Sequence, residues 1–261
     1  MPAPSWRIAQ RLSRHAVIIP TYNERENIVS LVENIVNLGI GSQIIIVDDN
    51  SPDGTGRLAD DLAVQYPGVT VLHRAGKLGL GTAHIAGMKS ALNEGVDAIL
   101  TMDADFSHHP RYIPDLLAAL DRFDIVIGSR YVPGGGTRYC TWPRKALSHG
   151  ANLFARTALS LGAGDATAGF RGYRREVLES VALDDIVSNG YSFLIELLYR
   201  CQQQGWSVGE VPIIFENRQL GASKISRAEI LRAMQTVVRL GGERIGRKSA
   251  AHSSAPLKEG S

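Results

Sequence analysis

Ile44-Ile45-Ile46-Val47-Asp48-Asp49-Asn50-Ser51-Pro52-Asp53-Gly54 sets four consecutive β-branched residues against seven polar or turn-forming ones. An apolar run of that length, ended by turn formers, reads as a strand buried on both faces. Its acidic residues lie just beyond the carboxyl end. Asp53 is placed to cap a helix carrying Leu58, Leu62 and Ala63.

The same unit recurs on either side. Val17-Ile18-Ile19 reads as a strand closed by Pro20, and Asn23 and Glu26 are spaced as a capping box. Ile28, Leu31, Val32 and Ile35 then share one helix face. Val69–Leu72 is a third strand, followed by a helix over about 81–92 that presents Ile85, Met88 and Leu92. Ala98–Met102 is a fourth strand. Pro110 fits the first turn of a helix carrying Ile113, Leu116, Leu117 and Leu120, and Ile125–Ile127 is a fifth strand. Alternating strands and helices with continuous apolar strands predict an α/β fold. Its central sheet is mostly parallel, with helices on both faces. Ligands on such sheets bind beyond the carboxyl ends of the strands.

After Ser129 the rhythm changes. Gly134-Gly135-Gly136 reads as a loop, helical patterns cover 144–161 and 192–204, and Val211–Phe215 reads as a strand. A Gly/Ser/Lys loop and a last helix over about 227–240 follow. The organisation is an N-terminal extension (1–13), one domain (14–240) and a polar tail (241–261).

The chain has 261 residues, 28 Lys+Arg against 26 Asp+Glu, and 44% hydrophobic residues. That suffices for a sizeable core and argues against a disordered chain. A net charge of +2 argues against a nucleic-acid partner. Two cysteines, Cys140 and Cys201, make no disulfide scaffold, so a reducing cytoplasm is the simplest compartment. No segment approaches the ~18 apolar residues of a spanning helix. Membrane contact is therefore expected to be peripheral, or through a separate membrane-spanning partner.

The strand ends carry the chemistry. The first ends in Pro20-Thr21-Tyr22-Asn23-Glu24, the second in Asp48-Asp49, the fourth in Asp103-Ala104-Asp105. Clustered carboxylates repel unless a cation sits among them, and hard oxygen ligands suit Mg²⁺ or Mn²⁺ with phosphate oxygens completing the shell.

VIIPTYNE, VDDNSPDGT, MDADFSHHP and IGSRY resemble the inverting, GT-A-fold glycosyltransferases of family 2. WPRKALSHGAN, GFRGYRR, GYSFLIELLYR and FENRQLGASK narrow the resemblance to dolichyl-phosphate (polyprenyl-phosphate) mannose synthases, over roughly residues 14–240. The resemblance implies mannose transfer from GDP-mannose to a polyprenyl monophosphate. It implies a divalent cation (Mg²⁺ or Mn²⁺) and a location at the cytoplasmic side of the cell membrane.

Carried over, Pro20, Tyr22 and Glu24 stand where the family holds the base and ribose. Asp49 stands at a nucleotide contact, with Asp48 beside it. Asp103 matches the residue reaching the sugar nucleotide and Asp105 the metal ligand, so both are assigned to the metal and to catalysis. Arg218 and Lys224 match basic residues that close over the donor phosphates. Arg130, Arg144 and Ser148 match the acceptor-phosphate site, and the two arginines count as catalytic. Where some relatives have Gln, Ser107 stands here, which leaves the third ligand position to water or His109.

Other features weigh differently. Lys77-Leu78-Gly79-Leu80-Gly81-Thr82-Ala83-His84 invites a dinucleotide reading, but His84 stands where the third glycine belongs. A turn that approaches a donor nucleotide fits better. Glu196, mid-helix among apolar residues, needs a partner: Arg171, the acceptor, or a structural ion pair. The last helix combines the apolar stripe Ile230, Met234, Val237, Val238 with Arg239, Arg244, Arg247 and Lys248. It is either a core helix or a membrane-surface one. The readings that compete with mannosyl transfer are a UDP-glucose-dependent glucosyltransferase on the same lipid and a non-catalytic sugar-nucleotide-binding subunit.

Overall fold

Alternate residues of each central strand enter opposite cores. In β1 (His15–Thr21), Ala16 and Ile18 pack to one face and Val17 and Ile19 to the other. In β2 (Gln43–Asp48), Ile45 and Val47 oppose Ile44 and Ile46. A two-residue period with both phases buried is what a helix-covered sheet requires. The computed structural model describes residues 12–216 and 232–243.

The first half follows the reading closely. α1 (Ile28–Val36), α2 (Thr55–Gln65), β3 (Val69–His73), α3 (Leu80–Asn93), β4 (Ala98–Thr101), α4 (Ile113–Ala119) and β5 (Ile125–Ser129) come in the order expected. Leu31, Leu62 and Leu116 of α1, α2 and α4 fill one core, and Met88 of α3 joins the other. Two local details differ. β1 runs through Pro20, which pairs opposite Val47. The Asn23–Glu26 capping box does not form. Asn23 takes a left-handed φ of 57° and donates its N–H to Ser51 Oγ at 3.0 Å, so the turn after β1 is stitched to the turn after β2. The helix waits until Ile28.

The second half departs further. Gly136–Arg138 is a short strand, β6, paired in parallel with β9 (Ile214–Glu216). The single strand expected over 211–215 is two, β8 (Val208–Pro212) and β9. They part at Ile213, which is buried and donates its N–H to Ser129 O at 3.0 Å. α5 (Trp142–Leu159), α6 (Arg175–Ser180), α7 (Ser192–Gln203) and a last helix, α8 (232–243), cover the face that holds Met88.

The main surprise is β7 (Arg171–Arg174), inserted antiparallel between β4 and β5. The sheet order is β3-β2-β1-β4-β7-β5-β8, and every other pairing in it is parallel. Because β7 runs backwards, the residues before it, 165–170, arrive at the edge where the parallel strands end. Thr101 Oγ1 fixes this by donating to Gly169 O at 2.8 Å.

Candidate functional site

Three of the turns at the carboxyl edge reverse through non-glycine residues in the left-handed region. Asn23, Asn50 and Phe106 have φ of 57°, 55° and 58°. Such conformations are costly and gather where function holds the chain in place.

After β4, Phe106 lets Asp105 fold over its own turn. Asp105 Oδ1 accepts from Ser107 N at 3.1 Å and Ser107 Oγ at 2.6 Å. Ser107 is buried and therefore orients Asp105. His109 faces away: its Nδ1 accepts from Arg111 N at 3.2 Å and caps the short helix at Pro110–Tyr112. The histidine that enters the site is His108. It is buried, stacks on Phe170 at 5.3 Å, and its Nδ1 accepts from the Asp103 backbone N–H at 3.2 Å. Burial pushes its pKa down to about 4, with Asp105 opposing the shift and Arg130 adding to it. A neutral ring accepting at Nδ1 keeps its proton on Nε2.

After β5, Arg130 is locked. Its Nε donates to Asp165 Oδ2 and one terminal nitrogen to Asp165 Oδ1, both at 2.7 Å; that nitrogen also reaches Thr167 Oγ1 at 2.8 Å. Burial alone would raise the carboxyl of Asp165, but the bonds from Arg130 outweigh it and hold the group ionised. Asp165 is in turn held from behind, since Glu210 accepts from the N–H groups of Gly164 and Asp165 at 2.6 and 2.9 Å. Arg171, fully buried, donates to the carbonyls of Ala166, Ala168 and Leu194 at 2.7–2.8 Å and so shapes the same segment. Tyr131 follows Arg130, and its hydroxyl lies 3.1 Å from Ser148 Oγ on α5. Arg144 belongs to α5, one turn before Ser148; its side chain lies outside the described residues.

The nucleotide residues sit at the ends of β1 and β2. Tyr22 has Lys77 Nζ over its ring at 4.2 Å. Glu24 is buried and accepts from Asn27 Nδ2 at 3.1 Å. Asp48 and Asp49 are also buried, and the structure gives both an internal task. Asp48 accepts from Thr21 Oγ1 at 2.8 Å and from Ser51 N and Oγ at 2.9 and 2.6 Å. Gly56 has no room for a side chain here, as a Cβ would fall 2.9 Å from Asp48 Oδ2. Asp49 accepts from Arg74 at 2.6 Å and from the N–H groups of Leu78 and Gly79, each at 3.1 Å. It therefore pins the 77–79 turn, and that turn delivers Lys77 to Tyr22. Asp53 is a local cap, accepting from Thr55 N at 3.0 Å and Oγ1 at 2.6 Å. Arg218 and Lys224 lie outside the described residues.

One cavity of about 580 Å³ joins these parts. Asp103, His108, Arg130, Tyr131, Ser148 and Thr167 line it, and so do Trp142, Leu147, Phe154 and Met234. The last four are exposed, Trp142 by 79%. A charged floor at the strand ends thus opens between α5 and α8 onto an apolar surface. Such a space suits a ligand with an anionic head and a hydrocarbon body.

The described residues contain no cluster of three or more His, Cys, Asp or Glu suited to a metal. Asp103 and Asp105 nevertheless fit a divalent cation of the Mg²⁺ or Mn²⁺ type. Such ions are held by one or two carboxylates, with substrate phosphates and water supplying the remaining oxygens.

Sequence reasoning missed His108, Tyr131, Asp165 and Thr167. The signal for Asp165 is a Gly-Asp pair just ahead of the GFRGYRR motif. Glu196 does not pair with Arg171. It is bound to Arg200 at 2.7 Å and Arg239 at 2.6 Å.

The sequence profile described as Glycosyl transferase family 2 matches residues 16–182. Over 230 residues the chain is 49% identical to polyprenol monophosphomannose synthase of Mycolicibacterium smegmatis, covering 87% of either chain. It is 44% identical to undecaprenyl-phosphate mannosyltransferase of Micrococcus luteus, covering 87% of this chain and 94% of that one. Glucosyl-3-phosphoglycerate synthase from Mycobacterium tuberculosis, crystallised with Mn²⁺, uridine diphosphate and phosphoglyceric acid, shares the fold. Its TM-score is 0.66 at 20% identity, covering 90% of this chain and 80% of that chain.

Proposed function

Because the chain belongs to glycosyl transferase family 2, we propose that it moves mannose from GDP-mannose to a polyprenyl monophosphate, inverting the sugar at C1. The observation that carries this reading is the single cavity running from Asp103 and Arg130 to the apolar surface of α5 and α8. A soluble acceptor would have no use for that exit.

The acceptor phosphate oxygen forms a bond to C1 as the bond from C1 to the diphosphate breaks, and the electron pair leaves with GDP. A phosphate monoester is already ionised near neutral pH, so no residue has to remove a proton from it. Arg130 and Ser148, with Arg144 ahead of it on α5, receive that phosphate. A guanidinium fixed by Asp165 loses little entropy on meeting it. Tyr22, Lys77 and Glu24 hold the nucleoside, and Asp49 acts through the turn it pins. Pro20 and Asp48 support the two strand ends. Arg218 and Lys224 neutralise the donor phosphates. Asp103 and Asp105 would hold a divalent cation, which when bound offsets the charge gathering on the departing diphosphate.

No helix among the described residues is long and apolar enough to cross a membrane. The acceptor's hydrocarbon chain instead brings this protein to the cytoplasmic membrane surface, where Trp142, Leu147, Leu153, Phe154, Met234 and Val238 stand exposed. A membrane-spanning partner protein would add a second tether. The test is a donor panel: purified protein, polyprenyl phosphate in detergent, and each labelled nucleotide sugar in turn. GDP-mannose gives a labelled lipid and UDP-glucose none. The opposite pattern replaces the reading with glucosyl transfer, and no product with any donor supports a binding subunit.

A further inference from the structure

Glu196 has no exposed surface and gathers four segments onto its two oxygens. Oε1 accepts from Arg200 Nε and a terminal nitrogen of Arg200 at 3.0 and 2.7 Å, within α7. Oε2 accepts from Arg239 of α8 at 2.6 Å, from Ser188 N at 3.2 Å, and from Ser188 Oγ. Thr236 of α8 joins through Ser188 Oγ at 3.2 Å, and Arg200 also donates to Asp185 O at 2.9 Å. The remaining face of Arg239 goes to Glu243 at 3.1 Å. Hydrogen bonds from these groups hold Glu196 below the usual carboxylate range, although burial pulls the other way.

The position of this cluster matters. Ile195, adjacent to Glu196, and Tyr191 line the cavity from the α7 side. Ala233, Met234 and Val237 line it from α8, within two turns of Arg239. α8 packs on the core through Val237 and Leu240, while Met234 and Val238 are 47% and 67% exposed. Only part of its apolar stripe therefore anchors it, and the charged contact at Arg239 supplies a second fixed point.

We propose that the Glu196–Arg239 contact is a positioning device for the acceptor: it sets the spacing of α7 and α8, and so the width of the slot that grips the hydrocarbon chain. The proposal rests on the lipid-acceptor reading above. It also explains why a fully buried carboxylate is bridged by two arginines from different helices. One would satisfy the charge; the second ties down a wall.

Arg239→Gln is the informative variant, because Glu196 keeps Arg200 and Ser188 and is not left as a stranded charge. KM is measured for GDP-mannose, for a long-chain polyprenyl phosphate and for a short prenyl phosphate that reaches the phosphate site without filling the slot. The long-chain KM should rise about tenfold, as for loss of a charged hydrogen bond, with the other two KM values within about twofold. Arg239→Lys, which keeps the charge and loses the fork, should fall between. If Arg239→Gln does not fold, Thr236→Val should give a smaller rise of the same selectivity. An unchanged long-chain KM, or losses that fall equally on both acceptors and track the melting temperature, overturns the device. Wild-type protein that uses neither acceptor overturns the device and the lipid-acceptor reading together; wild-type turnover with an insensitive variant overturns the device alone.

Discussion

Arg130 and Asp165 form a two-pronged ion pair with both contacts at 2.7 Å, and Asp165 is wholly buried. Asp165→Asn removes the charge that compensates a mostly buried guanidinium. Breaking such a pair from one side costs about 3–5 kcal/mol. Urea denaturation should show a loss of that order. Residual folded protein should bind GDP normally and show a raised KM for the lipid phosphate. A variant as stable as wild type with unaltered acceptor kinetics would show that Arg130 needs no such support.

Asp105 is held by Ser107 through its N–H and hydroxyl. Asp105→Ala should abolish most turnover with little change in melting temperature, and excess EDTA should do the same to wild type. Ser107→Ala should weaken the apparent affinity for Mn²⁺ by about 10-fold or more, as losses of outer-shell partners do. Turnover that survives EDTA undiminished would remove the cation from the reading.

His84 lies fully buried in α3, stacked on Phe193 with the ring centroids 5.7 Å apart, and neither nitrogen has a partner among the described residues. Burial, reinforced by Arg171 and His108, pushes its pKa down to about 3. In the unfolded chain the group titrates near 6.5. Between those values the unfolded state binds more protons, so stability falls as pH drops through this window and is flat above it. The slope from this residue approaches about 1.4 kcal/mol per pH unit. His84→Leu should flatten it, giving a variant that gains on wild type at about pH 5 relative to about pH 7.5. Denaturation midpoints at the two pH values measure this, and parallel midpoints would contradict it.

Membrane docking separates two surfaces that the sequence alone merges. Trp142→Ser with Leu147→Ser should weaken sedimentation with anionic vesicles about 10-fold or more, since both apolar side chains are exposed. Arg239→Gln should leave vesicle binding unchanged, because Arg239 is committed to Glu196. A vesicle defect in Arg239→Gln would return that residue to the lipid face.

The halves of the chain differ in how much they reveal. Ile44–Val47 and its sister strands are apolar in both phases, so their strand character and the parallel sheet follow from periodicity. β7 is Arg-Gly-Tyr-Arg, with Tyr173 its only apolar side chain, and no period marks it. Its place in the sheet comes from backbone pairing and from Arg171 spending its donors on carbonyls. The site divides in the same way. Asp103, Asp105 and Arg130 stand at strand ends that the pattern locates. Asp165 and Thr167 reach them only because an unforeseen strand runs backwards. His108 and His109 look equivalent in sequence; the left-handed turn at Phe106 and the helix entry at Pro110 send one inward and make the other a cap. Asp48 and Asp49 read as ligand-facing acids, yet backbone N–H groups and hydroxyls from neighbouring turns occupy them.

The antiparallel insertion also governs the order in which the protein can be made. β5 has β7 and β8 as its sheet neighbours, and both lie downstream of it. A ribosome that has finished Ser129 must still add everything up to Arg171 before Ile125-Val126-Ile127 meets its first partner. At about 5–20 residues per second that interval lasts about 2–8 s. Through it, the nascent chain holds a four-stranded sheet, β3-β2-β1-β4, with β4 as an open edge and an orphan apolar strand beside it. Such edges recruit other chains. Truncation anywhere between β5 and β7 freezes the molecule in that state. The protein consequently has no separable nucleotide-binding half, and its vulnerable moment in the cell comes during translation rather than after it.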